Sequence, residues 1–108
     1  MKIKTEVLPA DQAESIVKAA ELLRSGELVA LPTETVYGLA ANAYDEAAVK
    51  AVYAAKGRPS DNPMIVHIAE LSALPELVTA IPENAKILAE AFWPGPLTMV
   101  LPRSSKIP

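Results

Sequence analysis

The feature that most constrains this chain is an alternation of short apolar runs with helical patterns. The runs at 28–32, 64–68 and 97–102 consist mainly of Val, Leu, Ile, Met and Ala. Such continuous runs are typical of strands that are buried on both faces of a sheet. Because segments with helical periodicity separate them, the sequence predicts an α/β domain. Its sheet is expected to be twisted, mixed or mostly parallel, with flanking helices.

Capping residues mark the ends of the two strongest helical patterns. Asp11 is the predicted N-cap of the first helix, with Glu14 three residues later in a capping-box spacing. Gly26 is the predicted glycine just beyond its C-terminal end. Asp45 is predicted to cap a second helix that runs to Lys56. These signals are local, so they predict helix ends independently of how the chain packs.

Three weaker patterns complete the secondary structure. Residues 2–8 alternate in polarity, which predicts a short edge strand. A short helix is predicted at 73–79. A further helix is predicted from Pro82 to about Phe92, since proline is favoured in the first turn of a helix. The length of 108 residues then accommodates one small domain over residues 1–108.

Composition narrows the classes of protein that the chain can represent. Hydrophobic residues make up 51% and charged residues 21%, which is typical of a soluble globular protein. The net charge of -3 argues against a strongly basic nucleic-acid-binding surface, although it leaves a local basic patch open. The chain has no cysteine, which excludes disulfides and thiolate metal sites. The first residues lack the apolar core of a signal peptide, and no apolar run approaches the ~20 residues that span a bilayer. We therefore expect a cytoplasmic protein without a membrane partner.

Cations cluster where the second helix ends. Lys56 lies on the same helical face as Val49, Val52 and Tyr53, so its stem is expected to point toward the protein or a cleft. Arg58 follows across a glycine, and its planar fork fits phosphate or carboxylate. This pattern predicts an anion-binding loop. The alternatives are a lysine that complements the helix dipole and a surface arginine that pairs with Asp61.

Two other segments carry candidate ligand-binding groups. "TETVYG" begins a polar, glycine-bearing connection after the first buried run and supplies the hydroxyl of Thr35, among others. The alternative role of this segment is a capping turn with Thr33 as the N-cap. His67 lies in the run 64–68, where a single histidine is usually a core residue. With no cysteine and only one histidine, a protein metal site is not expected. Asn62 lies in the proline-bounded loop before His67, where turn formation is the alternative role. The residues alone thus predict a nucleotide- or anion-binding α/β domain.

Three motifs in one order carry a more specific signal. The segments "PTETVYGL", "KGRPSDNPMIVHI" and "WPGPLT" strongly resemble the YrdC-like family, and the resemblance covers nearly the whole chain. It implies the YrdC-like fold and an activity as threonylcarbamoyl-AMP synthase, a nucleotidyltransferase. In that reaction L-threonine and bicarbonate form a carbamate, which attacks the α-phosphorus of ATP. The adenylate serves N6-threonylcarbamoyladenosine formation in tRNA, with Mg²⁺ accompanying ATP and a separate transferase machinery completing the modification.

The resemblance also implies roles for individual residues. By motif position, Thr35 and His67 would hold L-threonine. Arg58 and Asn62 would contact ATP, and Lys56 would lie beside the phosphates or the carbamate, so that Lys56 and Arg58 are the expected catalytic cations. No metal-ligating residue and no general base is implied.

The resemblance further implies that residues 1–108 are the N-terminal part of one domain. Members of the family continue beyond this length and carry a Ser-Ala-Asn motif, which nothing in residues 103–108 resembles. The activity is therefore expected of the intact domain. The alternative function is a non-catalytic module that binds double-stranded RNA or a nucleotide, with Lys50, Lys56 and Arg58 as its cations.

Overall fold

The computed structural model describes residues 5–57 and 64–108. The chain forms two compact units, Met1–Pro59 and Ser60–Pro108. In the first unit a helix is followed by a two-stranded hairpin and a second helix. The second unit contains a 3₁₀ turn and two helices. The α/β class predicted from the sequence is confirmed.

The first helix, α1, spans Ala13–Arg24. Its N-cap is Gln12, which makes no side-chain capping bond, so the prediction of Asp11 as N-cap is wrong. The chain turns at residues 10–11, and Asp11 therefore lies one position too early to reach the first free N–H groups.

The C-terminal end of α1 closes as the sequence predicts. Gly26 has a left-handed φ of 91°. Its N–H donates to the Leu23 carbonyl at 3.2 Å, and the Glu27 N–H donates to the Leu22 carbonyl at 2.9 Å. These two bonds form a Schellman motif, which satisfies carbonyls that the helix leaves free.

Strands β1 (Val29–Leu31) and β2 (Gly38–Ala40) form an antiparallel hairpin. Val29 pairs with Ala40, and Leu31 pairs with Gly38. The predicted strand at 28–32 is thus present, but its neighbour is the segment that the sequence assigned to a connection. Ala30 is exposed, so β1 is not buried on both faces in the described part of the chain.

Helix α2 spans Glu46–Lys56. The carboxylate of Asp45 accepts the N–H of Ala48 at 3.1 Å, which confirms the predicted N-cap. Gly57 follows the helix with a left-handed φ of 67°. Ala48 and Val52 lie one turn apart and form the buried apolar face of this helix. Helix α2 therefore supplies the buried apolar residues of the first unit in the described part of the chain, and β1 contacts α1.

The second unit contains helices α3 (Leu74–Leu77) and α4 (Glu83–Phe92). A 3₁₀ turn at Leu71–Ala73 leads into α3. These elements agree with the predicted helices at 73–79 and from Pro82, although Pro82 is the N-cap and not the first helical residue. The apolar residues buried in this unit come from both helices: Leu74, Leu77, Ala85 and Ala89.

The predicted strands at 64–68 and 97–102 are not formed. In the described residues of the second unit, the only β-type backbone pairing is an isolated antiparallel bridge between Val78 and Arg103. Ser104 N–H donates to the Leu77 carbonyl at 2.8 Å beside it. Apolar side chains in the two runs are exposed, and Val100 is 97% exposed. An apolar run becomes a strand only when a neighbour pairs with its backbone along its length. Among the described residues, the Thr79 N–H donates to the carbonyl of Pro102, the last residue of the second run, at 2.9 Å, and no strand ladder forms along either run.

The predicted edge strand at 2–8 is also absent from residues 5–8, while residues 1–4 lie outside the described part of the chain. In residues 5–57 and 64–108, no helix is both long enough and apolar enough to span a bilayer.

Candidate functional site

The loop between β1 and β2, residues 32–37, presents Thr35. The Thr33 hydroxyl donates a hydrogen bond to the Val36 carbonyl and accepts the Thr35 N–H at 3.3 Å. This arrangement is a side-chain-closed turn, a role that short hydroxyl residues favour in loops. The loop therefore has a defined shape without being helical, so the alternative of Thr33 as a helix N-cap is wrong.

The Thr35 side chain lies on an exposed part of that loop. None of the described residues forms a hydrogen bond with its hydroxyl. Val36 and Tyr37 are also exposed, at 72% and 76%. The loop is thus a surface element whose hydroxyl is available to a ligand.

Lys56 is the last residue of α2. It is exposed, and within residues 5–57 and 64–108 no carboxylate pairs with its ammonium. The predicted inward face of the helix is only partly present: Val52 is 3% exposed, whereas Lys56 extends beyond the buried part. A cation at the C-terminal end of a helix interacts favourably with the helix dipole. Lys56 can therefore serve this local role and still offer its charge to an anion.

Lys50 differs from Lys56 although both lie on α2. Its ammonium forms an i,i+4 ion pair with the Glu46 carboxylate at 3.2 Å. Both side chains are largely exposed, so the pair contributes little to stability. The pair nevertheless offsets much of the local charge of Lys50, which leaves Lys56 as the more available cation.

A shallow open groove of about 570 Å³ lies at the N-terminal end of α2. It is lined by Asn42, Tyr44, Asp45, Glu46, Ala47 and Lys50. Asp45 and Glu46 place two carboxylates at the helix end where an anion would otherwise be favoured. Lys50, a cation of the RNA-binding alternative, lines this groove, whereas Thr35 and Lys56 do not.

His67 belongs to the second unit. It lies in the segment 64–68, which has no regular secondary structure, and its side chain is exposed. The alternative of a buried core histidine is therefore wrong in this structure. An exposed imidazole can exchange hydrogen bonds with a ligand or with solvent.

Arg58 and Asn62 lie outside the described residues. The structure accordingly places Thr35 and Lys56 in the first unit and His67 in the second. In the described part of the chain, no group of three or more His, Cys, Asp or Glu side chains could hold a metal ion.

Comparison with known proteins identifies close relatives. The family model Sua5/YciO/YrdC, described as "Telomere recombination", matches residues 21–108. The threonylcarbamoyl-AMP synthase of Pyrococcus abyssi is 61% identical over 90 residues, which are 83% of this chain and 26% of that protein. The threonylcarbamoyl-AMP synthase of Bacillus subtilis is 62% identical over 87 residues, 81% of this chain and 25% of that protein. The chain thus spans about a quarter of the length of these two relatives.

Solved structures give the same relationship. P. abyssi Sua5 in complex with L-threonine matches with a TM-score of 0.86 and 58% identity, over 90% of this chain and 28% of that one. The H234A/Y235A variant of P. abyssi Sua5 matches with a TM-score of 0.87. At this identity the likeness extends to sequence as well as to fold.

Proposed function

The chain belongs to the Sua5/YciO/YrdC family, and we propose that the protein makes L-threonylcarbamoyladenylate from L-threonine, bicarbonate and ATP. The observation that carries the proposal is the 61% identity to a threonylcarbamoyl-AMP synthase over 90 residues. Residues 1–108 would form part of one YrdC-like domain, and the activity would belong to the intact domain.

On the amino-acid side, Thr35 and His67 would hold L-threonine. The solved structure of P. abyssi Sua5 in complex with L-threonine supports L-threonine as the substrate. The available hydroxyl of Thr35 and the exposed imidazole of His67 can both form hydrogen bonds with the polar groups of an amino acid. By orienting threonine, these residues would bring its carbamate toward the nucleotide. This positioning would lower the entropy cost of bringing the two reactants together.

On the nucleotide side, Lys56, Arg58 and Asn62 would act on ATP. A carboxylate oxygen of the carbamate would bond to the α-phosphorus, and the bond from that phosphorus to the pyrophosphate oxygen would break. Negative charge grows on the leaving pyrophosphate, so cations aimed at the phosphates lower the barrier. Lys56 supplies a charge without a carboxylate partner in the described residues, and Arg58 would supply a bidentate fork. Mg²⁺ would enter with ATP, whose phosphates and bound water commonly complete its coordination.

The product would be consumed in tRNA modification, by a transferase machinery that adds the threonylcarbamoyl group to adenosine. A cytoplasmic location is part of the same proposal, because the adenylate would be used where tRNA is modified.

Pyrophosphate release tests the proposal. We expect release that requires both L-threonine and bicarbonate, and that falls at least tenfold in Lys56→Ala, since one well-placed cation is worth several kcal/mol in a transition state. Lys50→Ala is the matched control on the same helix and should retain the activity, because Lys50 pairs with Glu46. Release without a requirement for threonine would refute the proposed reaction.

The alternative of a non-catalytic RNA-binding module has less support. It would use Lys50 and Lys56 equally as phosphate contacts, yet Lys50 is paired with a carboxylate. The net charge of -3 also disfavours a polyanion. RNA binding that weakens equally in both lysine variants, with a steep dependence on salt, would favour this alternative over the enzyme.

A further inference from the structure

We propose that Thr33 is a positioning residue that holds the loop 32–37 in the shape that presents Thr35 to L-threonine. The inference rests on the proposed function and extends it to a residue that would not itself touch the substrate. The inference rests on the Thr33 hydroxyl, which forms hydrogen bonds with the backbone at two points of the loop, one before and one after the Thr35 side chain.

The two hydrogen bonds fix the backbone around Thr35. The Thr33 hydroxyl accepts the Thr35 N–H at 3.3 Å, and it donates to the carbonyl of Val36, the next residue. Because one bond precedes the Thr35 α-carbon and the other follows it, rotation of that residue's backbone would break at least one of them. The direction in which the Thr35 side chain leaves the backbone therefore depends on Thr33.

Apolar packing does little to hold the backbone of the loop 32–37 in place, so the hydrogen bonds of Thr33 are its main local restraint among the described residues. Val36 is 72% exposed and Tyr37 is 76% exposed, so neither anchors the loop in an apolar core. The Thr33 methyl group faces the start of β2, where an added β-carbon on Gly38 would lie 3.5 Å from it. The methyl therefore lies beside the strand while the hydroxyl closes the loop, so the two halves of this side chain can be tested separately.

Thr33→Val and Thr33→Ser form the discriminating pair. Valine keeps the shape of the side chain but loses both hydrogen bonds, whereas serine keeps the hydroxyl and loses the methyl group. The loss of two hydrogen bonds corresponds to a change of about tenfold or more in a binding constant. We expect Thr33→Val to raise the KM for L-threonine about tenfold, with the KM for ATP unchanged, and Thr33→Ser to stay within about threefold of the unaltered protein. Thr79→Val is the control, since Thr79 is exposed and lies in the second unit.

A second measurement reads the loop directly. Amide hydrogen exchange at Thr35 should become faster in Thr33→Val but not in Thr33→Ser, because only valine removes the acceptor. Two results would overturn the inference and leave Thr33 with a structural role only. One is an equal loss of amide protection at Thr35 in both variants. The other is a parallel rise of the KM values for threonine and ATP together with a lowered melting temperature. If the unaltered protein showed no threonine dependence, the proposed function would fail first. A threonine-dependent protein that is insensitive to Thr33→Val would overturn the inference alone.

Discussion

The substitution Gly26→Ala tests how the end of α1 is connected to the start of α2. Gly26 has a φ of 91°, which costs an L-residue about 1 kcal/mol after the smaller entropy of the unfolded alanine chain is counted. A β-carbon at this position would also lie 2.9 Å from Oδ2 of Asp45, which is closer than such atoms approach.

The carboxylate of Asp45 cannot move away without consequence. Its other oxygen, Oδ1, accepts the Ala48 N–H at 3.1 Å and caps α2. Loss of such a cap costs about 1 kcal/mol. Gly26→Ala should therefore lower the free energy of unfolding by about 2 kcal/mol, the sum of the backbone and capping contributions.

Gly57→Ala provides the matched control. Gly57 is also left-handed, with a φ of 67°, but an added β-carbon would meet nothing within 4 Å. This variant should cost only the backbone contribution of about 1 kcal/mol. Both glycines lie in the first unit, so urea denaturation followed on that unit compares them directly.

A double variant isolates the contact itself. In an Asp45→Ala background the carboxylate is absent, so Gly26→Ala should cost about 1 kcal/mol less than it does in the unaltered protein. Equal costs of Gly26→Ala and Gly57→Ala, or additivity with Asp45→Ala, would show that the contact between residue 26 and the Asp45 carboxylate contributes nothing to stability.

Three further substitutions separate strong from weak interactions. Gly95→Ala should cost about 2 kcal/mol by urea denaturation, because its β-carbon would lie 2.6 Å from the backbone oxygen of Phe92 and the backbone must shift; a cost near zero would contradict this. Trp93→Phe should cost about 1 kcal/mol, since the indole N–H donates to a backbone carbonyl of the following turn at 2.9 Å; an unchanged denaturation midpoint would show that this bond contributes nothing. Lys18→Ala should change stability by less than about 1 kcal/mol, because its 2.9 Å ion pair with Glu6 is half exposed, and any difference should shrink as salt is added.

Local signals in the sequence predicted helix ends well. Asp45 and Gly26 were identifiable because capping and left-handed turns depend on a few neighbouring residues. Asp11 shows the limit of such signals: the turn that precedes α1 shifted the helix start beyond its reach. Strand prediction failed for a different reason. The run 64–68 has the composition of a strand, but a strand requires a paired neighbour, which composition does not specify.

The candidate site was predicted through the ordered motifs more than through spacing. The spacing of the residues alone indicated Lys56 and predicted an anion-binding loop. The assignment of Thr35 and His67 to L-threonine came from the family resemblance. The role of Thr33 was missed because its hydroxyl was interpreted as a helix cap. The Thr-x-Thr spacing is also typical of a side-chain-closed turn, and that signal could have predicted the bond to the Thr35 N–H.

Identification of the nucleotide product tests the proposed synthesis of L-threonylcarbamoyladenylate. The protein with its intact YrdC-like domain would be incubated with ATP, L-threonine and ¹³C-labelled bicarbonate, and the products would be analysed by mass spectrometry. We expect an adenylate that contains both threonine and the bicarbonate carbon, formed together with pyrophosphate. Unaltered ATP, or an adenylate of threonine without the labelled carbon, would contradict it.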